Sequence, residues 1–243
     1  MTAVFTALYA VLGFLKISPI VGVSGGQAIT AAAIIAPIIG MLLGPYVGSL
    51  SALLGGTIGF FLGSLSPFSF AGGIATSFCA GMIRTGRRAI AALIYLALFL
   101  LFAFYPVVGP GWIFPAETWF QIVGLIIMLS PIQSCANRLL DSQKGTSLMY
   151  GFFFTCLVSS LAGQIAGSLV FEMLADPRTL RVTWETTWES LTVLYPVERM
   201  IIALGAAFIG TALTKTLKLT SLPPSIGKSW RAEKGSSNTP LSQ

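Results

Sequence analysis

Long apolar stretches separated by short polar segments run along most of this chain. A helix that crosses a bilayer needs about 20 predominantly apolar residues, or somewhat fewer where residues at its ends reach the interface. On this criterion the pattern predicts eight spans, over residues 2–17, 28–43, 46–65, 70–83, 89–108, 119–136, 147–174 and 197–217. The predicted fold class is therefore all-α, a polytopic membrane helix bundle with about eight transmembrane helices.

The pattern changes at the carboxyl end of the chain. After about residue 220 the sequence becomes polar, and stretches such as "KGSSNTPLSQ" have no apolar period. A segment of this composition cannot bury enough apolar surface to fold by itself. We therefore predict a transmembrane helical domain over residues 1–218, followed by a disordered cytoplasmic tail over residues 219–243.

Small residues and prolines are concentrated in the stretch "APIIGMLLGPYVGSLSALLGG". Gly44 and Pro45 are predicted to end one helix and start the next, which makes the two helices an antiparallel hairpin. Small residues at four-residue spacing let neighbouring helices approach closely, although the same spacing in any bundle indicates only that helices touch. Two such ridges are predicted, Ala28–Ala32–Ala36–Gly40–Gly44–Gly48 and Gly55–Gly59–Gly63.

Composition strengthens the membrane interpretation and excludes several kinds of chemistry. Hydrophobic residues make up 55% of the chain and charged residues 9%, and the mean hydropathy is +0.85, which is too apolar for a soluble domain. Histidine, the commonest general base and a common metal ligand, is absent from the sequence. The three cysteines lie within apolar runs, so we expect no disulfide, no metal site and no cofactor.

The distribution of basic residues predicts the orientation in the membrane. With a cytoplasmic amino terminus, ten Lys and Arg residues fall on the inner side and four on the outer side. This excess follows the positive-inside rule, so we expect a multi-pass protein of the plasma membrane with both termini cytoplasmic. Topology and contact with anionic lipid account for the net charge of +6, without a nucleic-acid partner.

Polar side chains within the predicted spans are the first candidates for a binding site, because a polar group in the bilayer needs a partner. The sequence offers Gln27, Gln133, Asn137, Gln164 and Glu198. Gln164 lies near the middle of its span and has no route to the interface, which makes it the strongest candidate. A glutamine at this depth can equally serve as a hydrogen-bonding link between helices.

The second outer loop contains an apolar face with the spacing of a helix, formed by Trp184, Trp188 and Leu191. We predict a short helix that lies on the outer interface, where tryptophans commonly anchor a protein at headgroup level. Alternatively, Trp188 and Glu198, with Glu185 or Glu189, bind an aromatic or cationic nutrient. Glu198 is also explained as the negatively charged start of the last helix.

Two stretches resemble a known family, the substrate-binding S components of energy-coupling factor transporters. They are "TAVFTALYAVLGFLKISPI" with "AITAAAIIAPIIGMLLGPYVGSLSALLGGTIGFFLGS", and "LYPVERMIIALGAAFIGTAL". The resemblance implies a six-helix core, in which residues 89–136 would be an inserted hairpin. It also implies that Ala3 and Ala7 match the A-x-x-x-A pattern that docks on a transmembrane coupling subunit, and that "SPIVGVSGGQ" acts as a lid.

From this resemblance we expect a membrane-embedded receptor for a small nutrient, such as a vitamin or its precursor, with ATP hydrolysed by two separate ABC ATPase subunits. A stand-alone secondary transporter or channel is the main alternative, although the two similar halves typical of many transporters are not evident. An intramembrane enzyme is less compatible with the sequence. A serine protease would need a histidine, and Asp141 and Asp176 are predicted on opposite sides of the membrane.

Overall fold

A computed structural model of the protein describes residues 2–19, 28–174 and 181–219, and these residues form a bundle of helices with one small hairpin. Gln27, most of the lid segment and the tail from residue 220 lie outside the described residues. The elements in chain order are α1 (Thr2–Leu12), β1 (Lys16–Pro19), β2 (Ala28–Thr30), α2 (Ala32–Leu43), α3 (Pro45–Phe61), α4 (Pro67–Arg84), α5 (Arg88–Ala103), α6 (Pro110–Ile113), a 3-10 helix (Pro115–Thr118), α7 (Trp119–Leu129), α8 (Pro131–Leu139), α9 (Gly145–Leu174) and α10 (Arg181–Leu219).

Two helices in the described part of the chain are long and apolar enough to cross a membrane, namely α9 and the Trp184–Leu217 portion of α10. A third candidate is the segment from Pro115 to Leu139, which is bent by 68° at the break between α7 and α8. Other apolar helices are shorter. The 11 residues of α1 span about 16 Å, roughly half of the hydrocarbon thickness. The predicted helical bundle is confirmed, whereas the predicted number of about eight spans is not.

The segments that flank the first loop form strands, and here the predicted first and second spans are wrong at their facing ends. Helix α1 ends at Leu12, and β1 then pairs antiparallel with β2, with Lys16 opposite Thr30. Strand pairing depends on a partner segment elsewhere in the chain, and Ile17, Ile29 and Thr30 are of the β-branched type that favours it. An apolar run therefore did not by itself distinguish helix from strand.

Four of the described α-helices begin at a proline, where the missing N–H has no helical partner to lose: Pro45, Pro67, Pro110 and Pro131. The Ser130 hydroxyl caps the last of these by accepting a hydrogen bond from the Ile132 N–H at 3.2 Å. The predicted span over residues 119–136 is therefore not one continuous helix, because the capped start of α8 separates α8 from α7.

The predicted α2–α3 hairpin is confirmed, and the predicted glycine ridges are confirmed only in part. A Cβ on Gly48 would lie 2.8 Å from the Gly40 Cα, and one on Gly55 would lie 2.5 Å from the carbonyl oxygen of Thr6 in α1. Gly59 instead faces the loop that follows α3, and Gly63 lies in that loop with a φ of +71°. The second ridge therefore meets a neighbouring helix at its first glycine alone.

The predicted separate helix on the outer interface is also wrong, because α10 runs without a break through this segment and the last predicted span. The Trp184 and Trp188 side chains are 2% and 0% exposed, respectively. Trp184 packs on Phe171 with ring centroids 5.0 Å apart, and Trp188 packs on Phe102 at 5.7 Å. Burial of this apolar face against the bundle continues the helix and removes both indoles from the interface.

Helix α9 is the centre of the bundle and packs against α2, α4, α5, α7, α8 and α10. Its closest neighbour is α4, which runs antiparallel to it. A Cβ on Gly163 would lie 2.5 Å from the Gly72 carbonyl oxygen, and a Cβ on Gly167 would lie 2.9 Å from that of Phe68. These glycines bring the two backbones into direct contact, as small residues do in membrane helix pairs.

Candidate functional site

A cavity lies in the half of the bundle where α1 and α9 end and where α2, α4 and α10 begin or pass. It contains about 750 Å³ of space free of protein atoms, part of which is open to the exterior. Aromatic and aliphatic side chains form one part of its wall, and serine, threonine and amide groups form another. Its residues include Tyr9, Thr30, Ala33, Leu65, Phe68, Ser69, Gln164, Ser168, Phe171, Tyr195 and Arg199.

The close contact between α4 and α9 shapes this cavity. Gly72, Gly163 and Gly167 line it while holding the two helices together, so the wall between the helices consists of backbone rather than side chains. Tyr9 from α1 covers the next glycine, Gly73, and a Cβ at that position would overlap the tyrosine hydroxyl. The space in the cavity thus results from glycines at positions where larger residues would force the helices apart.

Gln164 lies on the cavity wall and is only 5% exposed. Neither its amide nitrogen nor its amide oxygen has a hydrogen-bond partner among the described residues. A buried amide without partners costs about 1–3 kcal/mol relative to one that is hydrogen-bonded. The alternative drawn from the sequence was that Gln164 links two helices by a hydrogen bond. No such hydrogen bond is present in the described part of the chain.

Arg199 of α10 also lines this cavity, and it is 8% exposed. Its Nη2 lies 3.6 Å from Glu198 Oε2, which is beyond ordinary hydrogen-bond length, and its Nε has no partner among the described residues. The guanidinium carbon lies 6.0 Å from the centroid of the Tyr195 ring. A buried guanidinium needs several well-aligned acceptors to offset its lost hydration, and this one has an incomplete set.

Gln164 and Arg199 line the same cavity from two adjacent, antiparallel helices, α9 and α10. Phe171 of α9 packs on Trp184 of α10, and Phe152 of α9 faces Gly210 of α10, which fixes the opposite directions of the two helices. Ser168 and Tyr195, one turn along each helix from Gln164 and Arg199, also line the cavity. Both side chains are therefore positioned to act on one bound molecule.

The other predicted binding residues that the structure describes are not on the cavity wall. Trp188 donates a hydrogen bond from Nε1 to the Val108 carbonyl at 3.1 Å, which fixes it within the core. Glu198 is buried beside Arg199, and neither carboxylate oxygen has a hydrogen-bond partner among the described residues. Glu185 and Glu189 are exposed.

Asn137 belongs to a different part of the molecule. It is on α8, whose neighbour Ala136 faces Gly151 of α9. Gly151 is 13 residues before Gln164, or about 20 Å along the helix. Gln133, on the same helix, donates a hydrogen bond to Thr155 Oγ1 at 3.0 Å and so links α8 to α9.

Sequence reasoning missed Arg199 as a cavity residue, because an arginine next to a glutamate at the predicted end of a span is explained by the interface. It also missed the Gly163–Gly167 pair, although the four-residue spacing of this pair was a usable signal. Tyr9 and Phe171 gave no signal, since one aromatic residue in an apolar run does not show which helix it faces. Only the packing of α1, α4 and α9 brings these residues to one cavity.

No known protein family, curated protein or solved structure matches this chain. Within residues 2–19, 28–174 and 181–219, no group of three or more Cys, Asp or Glu side chains is arranged to hold a metal ion. The functional argument therefore rests on the cavity and the side chains that line it.

Proposed function

We propose that the protein is the membrane-embedded, substrate-binding subunit of an energy-coupling factor type import system, and that it binds a small nutrient in the cavity between α9, α4 and α10. A transmembrane coupling subunit and two ABC ATPase subunits would complete the system. The observation that carries the proposal is the buried Gln164 amide, which lines the cavity without a protein partner. A bound molecule that supplies these hydrogen bonds would remove the cost of its burial.

The charge distribution supports a multi-pass protein of the plasma membrane with both termini cytoplasmic. Arg84 forms a 2.7 Å ion pair with Asp141, and Arg88 donates to the Ser130 carbonyl and to Ser134 Oγ. These side chains gather at the end of the bundle opposite the cavity, and a cytoplasmic location fits their positive charge. The cavity would then face the outer side, as an importer requires.

Helix α1 offers a surface on which a coupling subunit could dock. Ala3 and Ala7 are exposed and lie on the side of α1 that carries the exposed Val4 and Val11. The opposite side, with the buried Tyr9, packs against α3 and α4. Substitutions at the two alanines would therefore change the outer surface of α1 without disturbing its internal contacts.

The first experiment asks whether the cavity binds a small molecule. Native mass spectrometry of protein purified in mild detergent should detect a retained compound, and the Ala33→Phe variant should lose it because the phenyl group fills the cavity. Ala212→Phe, on the exposed surface of α10, is the matched control and should retain the compound. A wild-type protein that carries no compound, or an Ala33→Phe variant that still carries it, would contradict the proposed site.

A second experiment separates a coupled receptor from a stand-alone transporter or channel. The Ala3→Trp/Ala7→Trp double variant should bind the compound as well as wild type and lose uptake into cells, because bulky side chains would hold the coupling subunit away. An autonomous transporter has no such partner and should continue to accumulate substrate. Uptake at the wild-type rate by a normally inserted double variant would argue against docking through α1.

A further inference from the structure

We infer that the ligand of this cavity is an organic acid whose anionic group is bound by Arg199, and that a second, amide-like part of the same molecule pairs with Gln164. This inference rests on the proposed function, since it assigns the chemical class of the bound nutrient. It also differs from the alternative drawn from the sequence, in which Trp188 and Glu198, with Glu185 or Glu189, bind an aromatic or cationic nutrient.

Arg199 sets the charge preference of the cavity. Of the described residues that line it, Arg199 is the one with an ionisable group charged at neutral pH, and no Asp, Glu or Lys is among them. A guanidinium presents five N–H donors and no acceptor, and it pairs with carboxylate or phosphate oxygens through two parallel hydrogen bonds. A ligand ammonium group would meet repulsion at this position, and a neutral ligand would offer acceptors without the negative charge that strengthens these hydrogen bonds.

Nearby acids do not remove this preference. Glu198 is the closest and forms an ion pair with Arg199, but its 3.6 Å separation from Nη2 leaves the guanidinium without a hydrogen bond to that carboxylate. Glu117 and Glu172 are buried in the same half of the bundle without lining the cavity, and Glu117 already accepts a 2.8 Å hydrogen bond from Gln121. A ligand anion in the cavity would be in contact with Arg199, whereas the Glu117 and Glu172 carboxylates do not line the cavity.

Gln164 adds a requirement that a simple anion does not meet. Its side chain offers both a donor and an acceptor, so its best partner is a group with the reverse arrangement, such as an amide, a lactam or a cyclic urea. Elsewhere on the cavity wall, Phe68 and Phe171 form an edge-to-face pair with ring centroids 5.4 Å apart, and Leu65 adds to this apolar part of the lining. The geometry is suited to a compound with an anionic group and an amide-like group joined by an apolar or aromatic framework.

A thermal-unfolding screen in detergent tests this assignment with a panel of cyclic amides and ureas that carry a carboxylate. Each acid is compared with its own carboxamide and its own amine, so that the charge is the main difference within a set. The acids should stabilise the wild-type protein, and the carboxamides and amines should not. Phosphatidylglycerol is included because a lipid headgroup offers similar anionic oxygens, and stabilisation by this lipid alone would overturn the inference.

Two variants that differ only at Arg199 give the matched comparison. Glu198→Gln should bind the stabilising acid as tightly as wild type or more tightly, because it removes a competing carboxylate. Glu198→Gln/Arg199→Gln removes both charges, so that no unpaired ion is left in the protein, and should bind the acid about 30-fold more weakly or worse. Arg199→Lys, which keeps the charge but not the two parallel hydrogen bonds, should show a smaller loss.

The outcomes separate the ligand class from the proposed function. Stabilisation by the amines that is lost in Glu198→Gln, or equal stabilisation by acids and carboxamides, would overturn the anion assignment while Ala33→Phe still blocked binding at the cavity. Failure of every acid in the panel would also overturn it. If no compound of any charge bound and native mass spectrometry detected no ligand, the proposed function would fail as well.

Discussion

The most apolar segments of α9 and α10 have nearly the same hydropathy, yet the two segments occupy opposite environments. In the most apolar 18-residue window of each helix, 83% of the residues of α9 are buried inside the protein, against 28% for α10. The middle of α9 is buried at every position from residue 155 to 168, whereas α10 exposes a face that includes Val193, Val197, Ile201, Leu204 and Phe208. Apolar composition therefore indicates the capacity to cross a membrane, and it does not indicate whether the neighbours are lipid or protein.

The contrast explains why the candidate site forms where these helices meet. Polar side chains in the buried middle of α9 have no access to water, so each needs a hydrogen-bond partner inside the protein. Gln164 is the case in which the described residues supply none. Helix α10 can direct Arg199 inward from one face while the opposite face remains exposed. One helix thus supplies the enclosure of the cavity, and the other supplies its charge.

The largest expected effect comes from truncating one isoleucine on each helix. Ile165 of α9 is 0% exposed, and Ile201 of α10 is 55% exposed. Ile165→Ala should lower the free energy of unfolding by about 2–5 kcal/mol, because it leaves a cavity in a packed core. Ile201→Ala should change it by no more than about 0.5 kcal/mol. Denaturation in detergent measures both values, and similar losses would break the comparison.

A second test places the same methyl group on each helix. Gly163→Ala should lower the free energy of unfolding by about 1–3 kcal/mol, because the new Cβ would meet the Gly72 carbonyl oxygen at 2.5 Å. Gly205→Ala on α10 should be neutral or stabilise by up to about 1 kcal/mol, since its Cβ would lie 3.4 Å from Ile34 and alanine favours helix. Effects of the same sign would contradict the close α4–α9 contact.

The smallest expected effect separates a structural glutamine from a functional one. Gln133→Leu should lower the free energy of unfolding by about 0.5–1.5 kcal/mol, because it removes the 3.0 Å hydrogen bond to Thr155. Gln164→Leu should leave the stability of the ligand-free protein unchanged or slightly higher, since no described partner loses a bond. A loss in Gln164→Leu as large as that in Gln133→Leu would show that the amide has a structural role.

The sequence predicted the elements whose cause is local. Apolar stretches predicted the helical bundle, and Gly44 with Pro45 predicted the α2–α3 hairpin, because a proline in a first turn and a glycine with φ of +83° act at their own positions. Pro131 carried a similar local signal for the start of α8. The predicted span over residues 119–136 gave too much weight to hydropathy and too little to this residue.

Elements that depend on distant contacts were not predicted. Strands β1 and β2 need each other, and the continuity of α10 needs the core that buries Trp184 and Trp188. Of the described residues that line the candidate site, the sequence predicted one, Gln164. An amide near the middle of a long apolar segment needs a hydrogen-bond partner, and this need is visible in the sequence. Arg199 was missed because its direction, toward the cavity or toward an interface, is set by how α10 packs on α9.

The most direct test of the central claim, that α9 and α10 together form a ligand site, is an experimental structure of the protein purified from its native membrane. We predict density that does not belong to the protein in the cavity, within hydrogen-bond distance of the Gln164 amide and the Arg199 guanidinium. A structure in which these two side chains are satisfied by protein groups and the cavity is closed would contradict the claim.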